Sequence, residues 1–328
     1  MAQAHVWTGR ALRPEAMAVL EGLASIATSS VGERSDWLAE AANADVIMVA
    51  GETFVTGDAM DRIGPRLRII ARTGIGFDRI DLDAATQRGI MVVNTPDGPT
   101  ESTAEHTIAL MLNLCKRVTA TDNILRSGQP FPELRTLTPG FEVYGATLGL
   151  VGLGRIGSRV AAIAQALGMK VLARDPYVTP ERANAPGVKL APSLAELLPR
   201  AQIVSLHCPA MPETYHIMHT GTLSLMPRGS YLINAARGAL IDEAALLEAL
   251  RSGHLAGAAI DVYDPEPPMT NHPLFTLPNT ICTPHIASYT KAGVLRMEVM
   301  ACEQIASALR GERPTNLVNA QVWGGQRR

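Results

Sequence analysis

The stretch TLGLVGLGRIG at residues 147–157 decides the fold of this chain. It begins as a short apolar run and leads into glycines spaced as G-x-G-x-x-G, at Gly152, Gly154 and Gly157. Gly152 permits a tight turn, Gly154 lets the backbone approach a pyrophosphate, and Gly157 lets the next helix pack close to the sheet. The stretch therefore predicts a strand, a phosphate-binding turn, and a helix from Arg155 whose N-terminus faces the phosphates.

The residue that ends the next apolar run bears on the choice of dinucleotide. Asp175 follows Gly157 by 18 residues, near the spacing of about twenty at which an acidic residue binds the adenosine ribose. A carboxylate there accepts hydrogen bonds from the ribose hydroxyls and repels a 2′-phosphate, which favours NAD over NADP. The neighbouring Arg174 leaves NADP open, because an arginine at this place can hold the phosphate.

Apolar runs alternate with helical patterns along the second part of the chain. This alternation is typical of a doubly wound, dinucleotide-binding parallel sheet. Strands are predicted at 147–152, 170–173, 202–207, 230–234, 257–262 and 280–283, with helices at 155–168, 193–200 and 242–253.

The first hundred residues repeat this rhythm on their own. Strands are predicted at 44–50, 66–71 and 89–94, with a crossover helix at 81–89 that Asp81 caps. Further predictions are a long helix at 101–126, a loop at 127–140 and a helical tail at 289–309.

These patterns together predict an α/β fold with two doubly wound parallel-sheet domains. Residues 1–100 and 290–328 form a discontinuous substrate-binding domain in this scheme. Residues 101–289 form the NAD-binding Rossmann domain.

Composition narrows the classes of partner. The formal net charge of −2 offers no reason to expect nucleic acid or anionic lipid as a partner. The four cysteines form no C-x-x-C pair and no histidine spacing suggests zinc, so we expect no metal and a reduced, cytoplasmic chain. The start, MAQAHVWTGR, has no apolar core typical of a signal peptide, and arginines interrupt the most apolar stretch, so a membrane span is not expected.

Three polar segments follow the ends of late strands: NAARG (234–238), DVYDPEPP (261–268) and TPHIAS (283–288). Open α/β sheets place their ligands at the carboxyl ends of their strands. Arg237 could hold a carboxylate with two parallel hydrogen bonds. Glu266 could orient the imidazole of His285 and favour its protonated form, which predicts acid–base catalysis.

These motifs, in this order, resemble the D-isomer-specific 2-hydroxyacid dehydrogenase family over nearly the whole chain. The similarity implies a Rossmann domain, a smaller flavodoxin-like substrate domain, and hydride transfer between NAD(H) and a small D-2-hydroxy acid or 2-keto acid. It also implies a homodimer. The matching segments are 72–90, 149–157, 204–209, 233–250, 258–267 and 283–288.

The resemblance implies a role for each matching site residue. Arg237 would bind the substrate carboxylate and polarise the keto oxygen, His285 would donate or accept the proton, and Glu266 would hold His285. The backbone N–H groups of Ile75 and Gly76 would bind the carboxylate. The implied dinucleotide contacts are Thr103, Gly152, Gly154, Arg155, Ile156, Gly157, Asp175, Cys208, Pro209, Ala235, Ala236, Asp261 and Ser288.

The sequence leaves the substrate open. Phosphoglycerate enzymes of this family often carry an arginine where Ala50 stands here, and Glu52 would repel a phosphate, so a glyoxylate-like or hydroxypyruvate-like acid is favoured. Arg72 and Arg135 could still bind phosphate. The chain also ends soon after its last predicted helix, without room for the regulatory domain of some phosphoglycerate enzymes.

Three other functions are compatible with this fold. Glu266 argues against formate oxidation, because formate enzymes carry glutamine there. Phosphite oxidation and a non-catalytic NAD(H)-sensing role stay open, since the corepressors of this fold keep the same triad.

Overall fold

The computed structural model describes residues 3–28, 36–51, 53–128, 139–178 and 186–324. The chain divides into two compact units, one of Met1–Pro99 with Tyr289–Arg328 and one of Thr100–Ser288. None of the described helices has the length and apolar character that a membrane crossing requires.

The strands and helices are numbered in chain order. The strands are β1 (Ala4–Thr8), β2 (Ala24–Thr28), β3 (Val46–Val49), β4 (Ile69–Arg72), β5 (Met91–Val93), β6 (Thr147–Val151), β7 (Lys170–Arg174), β8 (Lys189–Leu190), β9 (Ile203–Leu206), β10 (Ser230–Asn234), β11 (Leu255–Ile260) and β12 (Thr280–Cys282). The helices are α1 (Pro14–Val19), α2 (Trp37–Glu40), α3 (Gly57–Ile63), α4 (Leu82–Gln87), α5 (Thr100–Lys116), α6 (Val118–Arg126), α7 (Arg155–Ala166), α8 (Leu194–Leu197), α9 (Thr220–Leu225), α10 (Glu243–Arg251) and α11 (Lys291–Leu309).

The first unit contains a parallel sheet with strand order β2-β1-β3-β4-β5. This is the flavodoxin-like order, and it confirms the predicted fold class. The strands β3 and β5 lie within the predicted runs, and β4 ends one residue beyond its run. The Asp81 carboxylate caps α4 by accepting from the Ala84 N–H at 2.9 Å. The strands β1 and β2 were not predicted, and the edge strand β2 has no fully buried residue.

The C-terminal helix α11 packs within the first unit. Its buried Glu298 carboxylate accepts from the guanidinium of Arg13 at 2.9 Å, and Thr290 caps its first turn. Beyond the helix, the Asn319 side chain accepts from the Val92 N–H at 2.8 Å and donates to the Ile90 carbonyl at 2.9 Å. These contacts attach the chain's tail to β5 and its neighbours.

The second unit contains a parallel sheet with strand order β12-β11-β10-β9-β6-β7-β8. The order reverses at β6, so the turn after β6 lies where doubly wound sheets bind dinucleotides. Apolar side chains are buried on both faces of this sheet, as expected for parallel strands covered by helices. The six predicted strands are present, whereas β8 is too short to give a pattern.

The prediction of a single helix at 101–126 is wrong, because the segment forms the two helices α5 and α6. Arg117 adopts a left-handed conformation (φ 58°) and separates α5 from α6. The Asn113 side chain holds the break, because it accepts from the Thr119 N–H at 2.8 Å and donates to the Thr119 hydroxyl at 2.7 Å. The apolar spacing continues across the break, so the pattern does not reveal it.

Two further differences concern the predicted segments. The short helices α1, α2, α3 and α9 have no counterpart in the predictions. Residues 129–138 of the predicted loop at 127–140 lie outside the described residues, as do Glu52 and Arg135.

Candidate active site

In the glycine turn after β6, backbone atoms pack closely against Gly152 and Gly157, whereas the face at Gly154 is open. A Cβ at Gly152 (φ 100°) would lie 2.7 Å from the His207 carbonyl carbon, and one at Gly157 would collide with the Gly152 carbonyl oxygen. A Cβ at Gly154 would meet no heavy atom within 4 Å. Gly154 is also the N-cap residue of α7 and provides no side-chain cap, so the first N–H groups of this helix suit an anion. The turn fits a bound pyrophosphate.

Asp175 lies directly beside this turn. Its carboxylate accepts from the Leu153 N–H at 2.8 Å and from the Tyr177 N–H at 2.9 Å, and it is partly exposed. Each oxygen of an ionised carboxylate can accept a second hydrogen bond, so the group retains capacity for ribose hydroxyls. The prediction that Asp175 lies at the dinucleotide turn therefore has a geometric basis, and Arg155 and Ile156 follow at the start of α7.

The segment after β9 adds neutral groups to the same region. Burial raises the pKa of the Cys208 thiol to about 11, so the thiol stays protonated at neutral pH. Burial lowers the pKa of the His207 imidazole to about 4, and its Nε2 lies 2.9 Å from the Ser205 hydroxyl. Pro209 is exposed beyond them. His207 was not among the predicted site residues, although it lies within the quoted segment 204–209.

Arg237 is carried by a turn that its neighbours shape. The Asn234 side chain donates to the Arg237 carbonyl at 2.8 Å and accepts from the Ala236 N–H at 3.1 Å. The guanidinium donates to the Ala236 carbonyl at 2.6 Å, and Ala235 and Ala236 are partly exposed. A Cβ at Gly238 would collide with the Tyr263 carbonyl, so the turn packs directly on the segment that leads to Glu266.

His285 and Glu266 form a direct pair. The His285 Nδ1 lies 3.0 Å from each oxygen of the Glu266 carboxylate. Because an ionised carboxylate only accepts, Nδ1 carries the hydrogen, and Nε2 is the nitrogen that can exchange a proton with a substrate. The His285 side chain is 37% exposed and Glu266 is 13% exposed, so the imidazole remains accessible.

Three of the predicted cofactor contacts differ in their solvent exposure. Asp261 is fully buried, Thr103 is buried in α5, and Ser288 is partly exposed. The Asp261 carboxylate accepts from Thr283 at 2.6 Å and lies 3.6 Å from the His106 ring. His106 and Thr283 were not among the predicted site residues, since a helix histidine and a strand-end threonine give no pattern of their own.

The loop with Ile75 and Gly76 follows β4 in the first unit. The Arg72 guanidinium donates to the Gly76 carbonyl at 2.9 Å, and the Asn94 side chain donates to the Ile75 carbonyl at 2.7 Å. Among the described residues, the N–H groups of Ile75 and Gly76 have no hydrogen-bond acceptor. This loop therefore offers two adjacent N–H donors.

Comparisons with known proteins agree with these features. Residues 108–287 match the family model for the NAD-binding domain of D-isomer-specific 2-hydroxyacid dehydrogenases. A D-3-phosphoglycerate dehydrogenase of Methanocaldococcus jannaschii is 40% identical over 308 residues, which cover 94% of this chain and 58% of that protein. A glyoxylate reductase of Aeropyrum pernix is 41% identical over 290 residues, which cover 87% of this chain and 86% of that protein.

A solved structure of a protein from Thermus thermophilus has the same fold. It superposes with a TM-score of 0.85 at 39% identity and covers 96% of this chain and 99% of that chain. This chain spans just over half the length of the phosphoglycerate dehydrogenases that it matches. By its sequence and its fold, the chain belongs to the family of D-isomer-specific 2-hydroxyacid dehydrogenases.

Proposed function

We propose that this chain is an NAD(H)-dependent oxidoreductase that interconverts a small 2-keto acid and the corresponding D-2-hydroxy acid. The observation that carries the proposal is the His285–Glu266 pair, in which Nδ1 is held by both carboxylate oxygens at 3.0 Å. This pairing fixes the tautomer and leaves Nε2 to move a proton. A neighbouring carboxylate also stabilises the imidazolium that acid catalysis requires.

Arg237 binds the substrate and stabilises charge in this scheme. Its planar guanidinium suits a carboxylate, and it offsets the negative charge that develops on the carbonyl oxygen during reduction. The packing of Gly238 on the Tyr263 carbonyl keeps this arginine's turn against the segment that carries Glu266. We assign a carboxylate-binding role to the N–H groups of Ile75 and Gly76.

NADH, when bound, supplies the hydride that adds to the carbonyl carbon. The open face at Gly154 and the N-terminus of α7 would hold its pyrophosphate, and the Asp175 carboxylate would accept from its ribose. His285 delivers a proton from Nε2 to the carbonyl oxygen, so hydride and proton together complete the reduction. In the reverse direction, neutral His285 accepts the hydroxyl proton.

The residue at position 50 favours an unphosphorylated acid. Ala50, after β3, provides no charge. We therefore favour a glyoxylate-like or hydroxypyruvate-like substrate.

Phosphoglycerate is the second candidate. It is favoured by the relatives named D-3-phosphoglycerate dehydrogenase, at 39–41% identity. The two substrate classes differ by a phosphate group, so the wild-type preference between a phosphorylated and an unphosphorylated keto acid distinguishes them.

A panel of 2-keto acids tests the proposal. Purified protein is incubated with NADH or NADPH and with glyoxylate, hydroxypyruvate, pyruvate or phosphohydroxypyruvate, and the nicotinamide absorbance is followed. Turnover of an unphosphorylated acid that His285→Ala abolishes supports the proposed reaction. Absence of turnover with every acid contradicts it.

One substitution tests whether position 50 sets the preference between the two substrate candidates. Ala50→Arg should raise kcat/KM for phosphohydroxypyruvate relative to glyoxylate, whereas Ala50→Gln, of comparable length without charge, should not. A wild type that already prefers the phosphorylated acid would favour the second candidate.

A further inference from the structure

The buried Asp261 is bonded to the turn that carries His285. Asp261 follows β11, and the turn at 283–287 follows the adjacent parallel strand β12. The Asp261 carbonyl accepts from the His285 N–H at 2.8 Å. Its Oδ1 accepts from the Ile286 N–H at 2.9 Å, and its Oδ2 accepts from the Ala287 N–H at 3.0 Å. Three consecutive backbone N–H groups therefore donate to Asp261.

The conformation of His285 explains why the turn needs such support. Its φ is +53°, in the left-handed region that non-glycine residues adopt infrequently. A conformation of this kind persists where the surrounding structure determines it. The hydrogen bonds to Asp261 hold the His285 backbone in this conformation. They thereby orient the imidazole that pairs with Glu266.

Thr283 adds a fourth donor to Asp261. Its hydroxyl donates to Asp261 Oδ1 at 2.6 Å, and its own carbonyl accepts from the Tyr263 hydroxyl at 3.0 Å. The buried carboxylate thus accepts two N–H groups and one hydroxyl. An amide in its place offers one acceptor oxygen, so its NH₂ group would face a donor of the turn.

His106 approaches the same group from α5. Its Nε2 lies 3.4 Å from the Thr283 hydroxyl oxygen and 3.6 Å from Asp261 Oδ1. The Thr283 hydroxyl hydrogen is used on Asp261, and an ionised carboxylate has none to give. Nε2 must therefore carry a hydrogen and act as the donor.

The charge state of Asp261 agrees with this geometry. Burial alone would raise the pKa of the Asp261 carboxyl, but the nearby His106 ring and the hydrogen bonds from Thr283, Ile286 and Ala287 lower it below its usual range. The group is thus ionised at neutral pH and can only accept.

We propose that Asp261, Thr283 and His106 form a positioning network that holds the His285 turn in its left-handed conformation. The inference rests on the proposed role of His285 as proton donor. It assigns to His106 and Thr283 an influence on turnover that acts through His285, without contact with substrate. Asp261 is the centre of the network, because Thr283 and the N–H groups of the turn bond to it and the His106 ring lies 3.6 Å from its Oδ1.

Substitutions at Thr283 and His106 test the network without removing the buried charge. Thr283→Val deletes the hydroxyl at nearly constant volume, and Thr283→Ser restores it. His106→Leu removes the ring donor, and His106→Gln keeps an N–H donor. Thr280→Val is the matched control, because Thr280 lies on β12, the strand that Thr283 follows, and its hydroxyl donates to the Leu274 and Leu277 carbonyls instead.

The expected result separates positioning from general stability. Thr283→Val and His106→Leu should each lower kcat roughly 10-fold or more, the scale expected from misplacing a catalytic group, with the Kd for NADH within about twofold of wild type. Thr283→Ser and His106→Gln should recover most of the rate. Thr280→Val should lower Tm while kcat stays at the wild-type value.

Amide hydrogen exchange in the absence of nucleotide provides a readout that needs no activity. Thr283→Val should accelerate exchange at Ile286 and Ala287, and Thr280→Val should not. If the wild type reduces no keto acid but this acceleration is seen, the proposed function fails and the network stands. Unchanged exchange, a wild-type kcat in Thr283→Val, or a loss of NADH binding as large as the loss of kcat would overturn the network.

Discussion

Alanine substitutions in the glycine turn distinguish a glycine that serves a ligand from one that serves packing. In Gly154→Ala the new methyl meets no heavy atom within 4 Å, and the backbone (φ −74°) suits alanine. Replacing glycine by alanine restricts the unfolded chain, which stabilises the folded protein by about 0.4–1 kcal/mol. Alanine is also a less favourable N-cap residue than glycine, which costs a similar amount. The free energy of unfolding should change by less than about 1 kcal/mol, a Tm change below about 4 °C.

Gly157→Ala is the contrasting variant. Its methyl collides with the Gly152 carbonyl, which is backbone and cannot rotate away. Overpacking of this kind costs about 1–3 kcal/mol, so Tm should fall by roughly 2–12 °C. Gly51→Ala serves as a neutral control, because a Cβ at Gly51 also meets no heavy atom within 4 Å and lies in the other unit.

Two measurements decide the outcome. Tm is recorded by calorimetry without nucleotide, and the Kd for NADH is taken from nicotinamide fluorescence. Gly154→Ala should weaken NADH binding at least tenfold, about 1.4 kcal/mol, while its Tm stays near wild type. If Gly154→Ala binds NADH as tightly as wild type and Gly51→Ala do, the open face at Gly154 is not the phosphate site.

Five further results are expected. Asp175→Asn should shrink the preference for NADH over NADPH in kcat/KM, because it removes a charge that repels a 2′-phosphate; an unchanged ratio would contradict this. His285→Ala should lower turnover about 10²–10⁴-fold with little change in NADH binding, and Arg237→Lys should recover only part of what Arg237→Ala loses, both measured by steady-state kinetics. Burial alone would raise the pKa of Asp261, yet the hydrogen bonds that it accepts lower it. The stabilisation of the fold by the ionised Asp261 carboxylate is therefore present at pH values above the unfolded-state pKa of about 3.9, and it is lost as pH falls through the folded-state pKa. The difference in Tm between the wild type and Asp261→Asn should therefore narrow below about pH 4, as measured by calorimetry. Since burial raises the pKa of Cys208 to about 11, iodoacetamide should label it roughly 10²-fold more slowly at pH 8 than a free cysteine, and faster labelling by mass spectrometry would refute this.

The strands and the dinucleotide turn were predictable from sequence because their signals are local. A buried parallel strand is a continuous apolar run, and the glycine spacing of 152–157 reflects steric limits within a few residues. Glycine at 157 is required because Gly152, five residues earlier, lies against it. The two-residue strand β8, the half-exposed β2 and the break at Arg117 carry no such local signal, and they were missed.

The residues Arg237, Glu266 and His285 were proposed from sequence because each follows the end of a strand. That rule places side chains at one edge of a sheet, but it gives no pairing, tautomer or burial. Only the tertiary structure places Nδ1 of His285 against both oxygens of Glu266, which makes Nε2 the nitrogen for the proposed proton transfer. Only the tertiary structure brings His106 on α5 and Thr283 after β12 to the buried Asp261, since these contacts join residues 22 or more positions apart. Apolar periodicity and glycine spacing are properties of neighbouring residues, whereas a hydrogen-bond network is determined by which segments the folded sheet brings together.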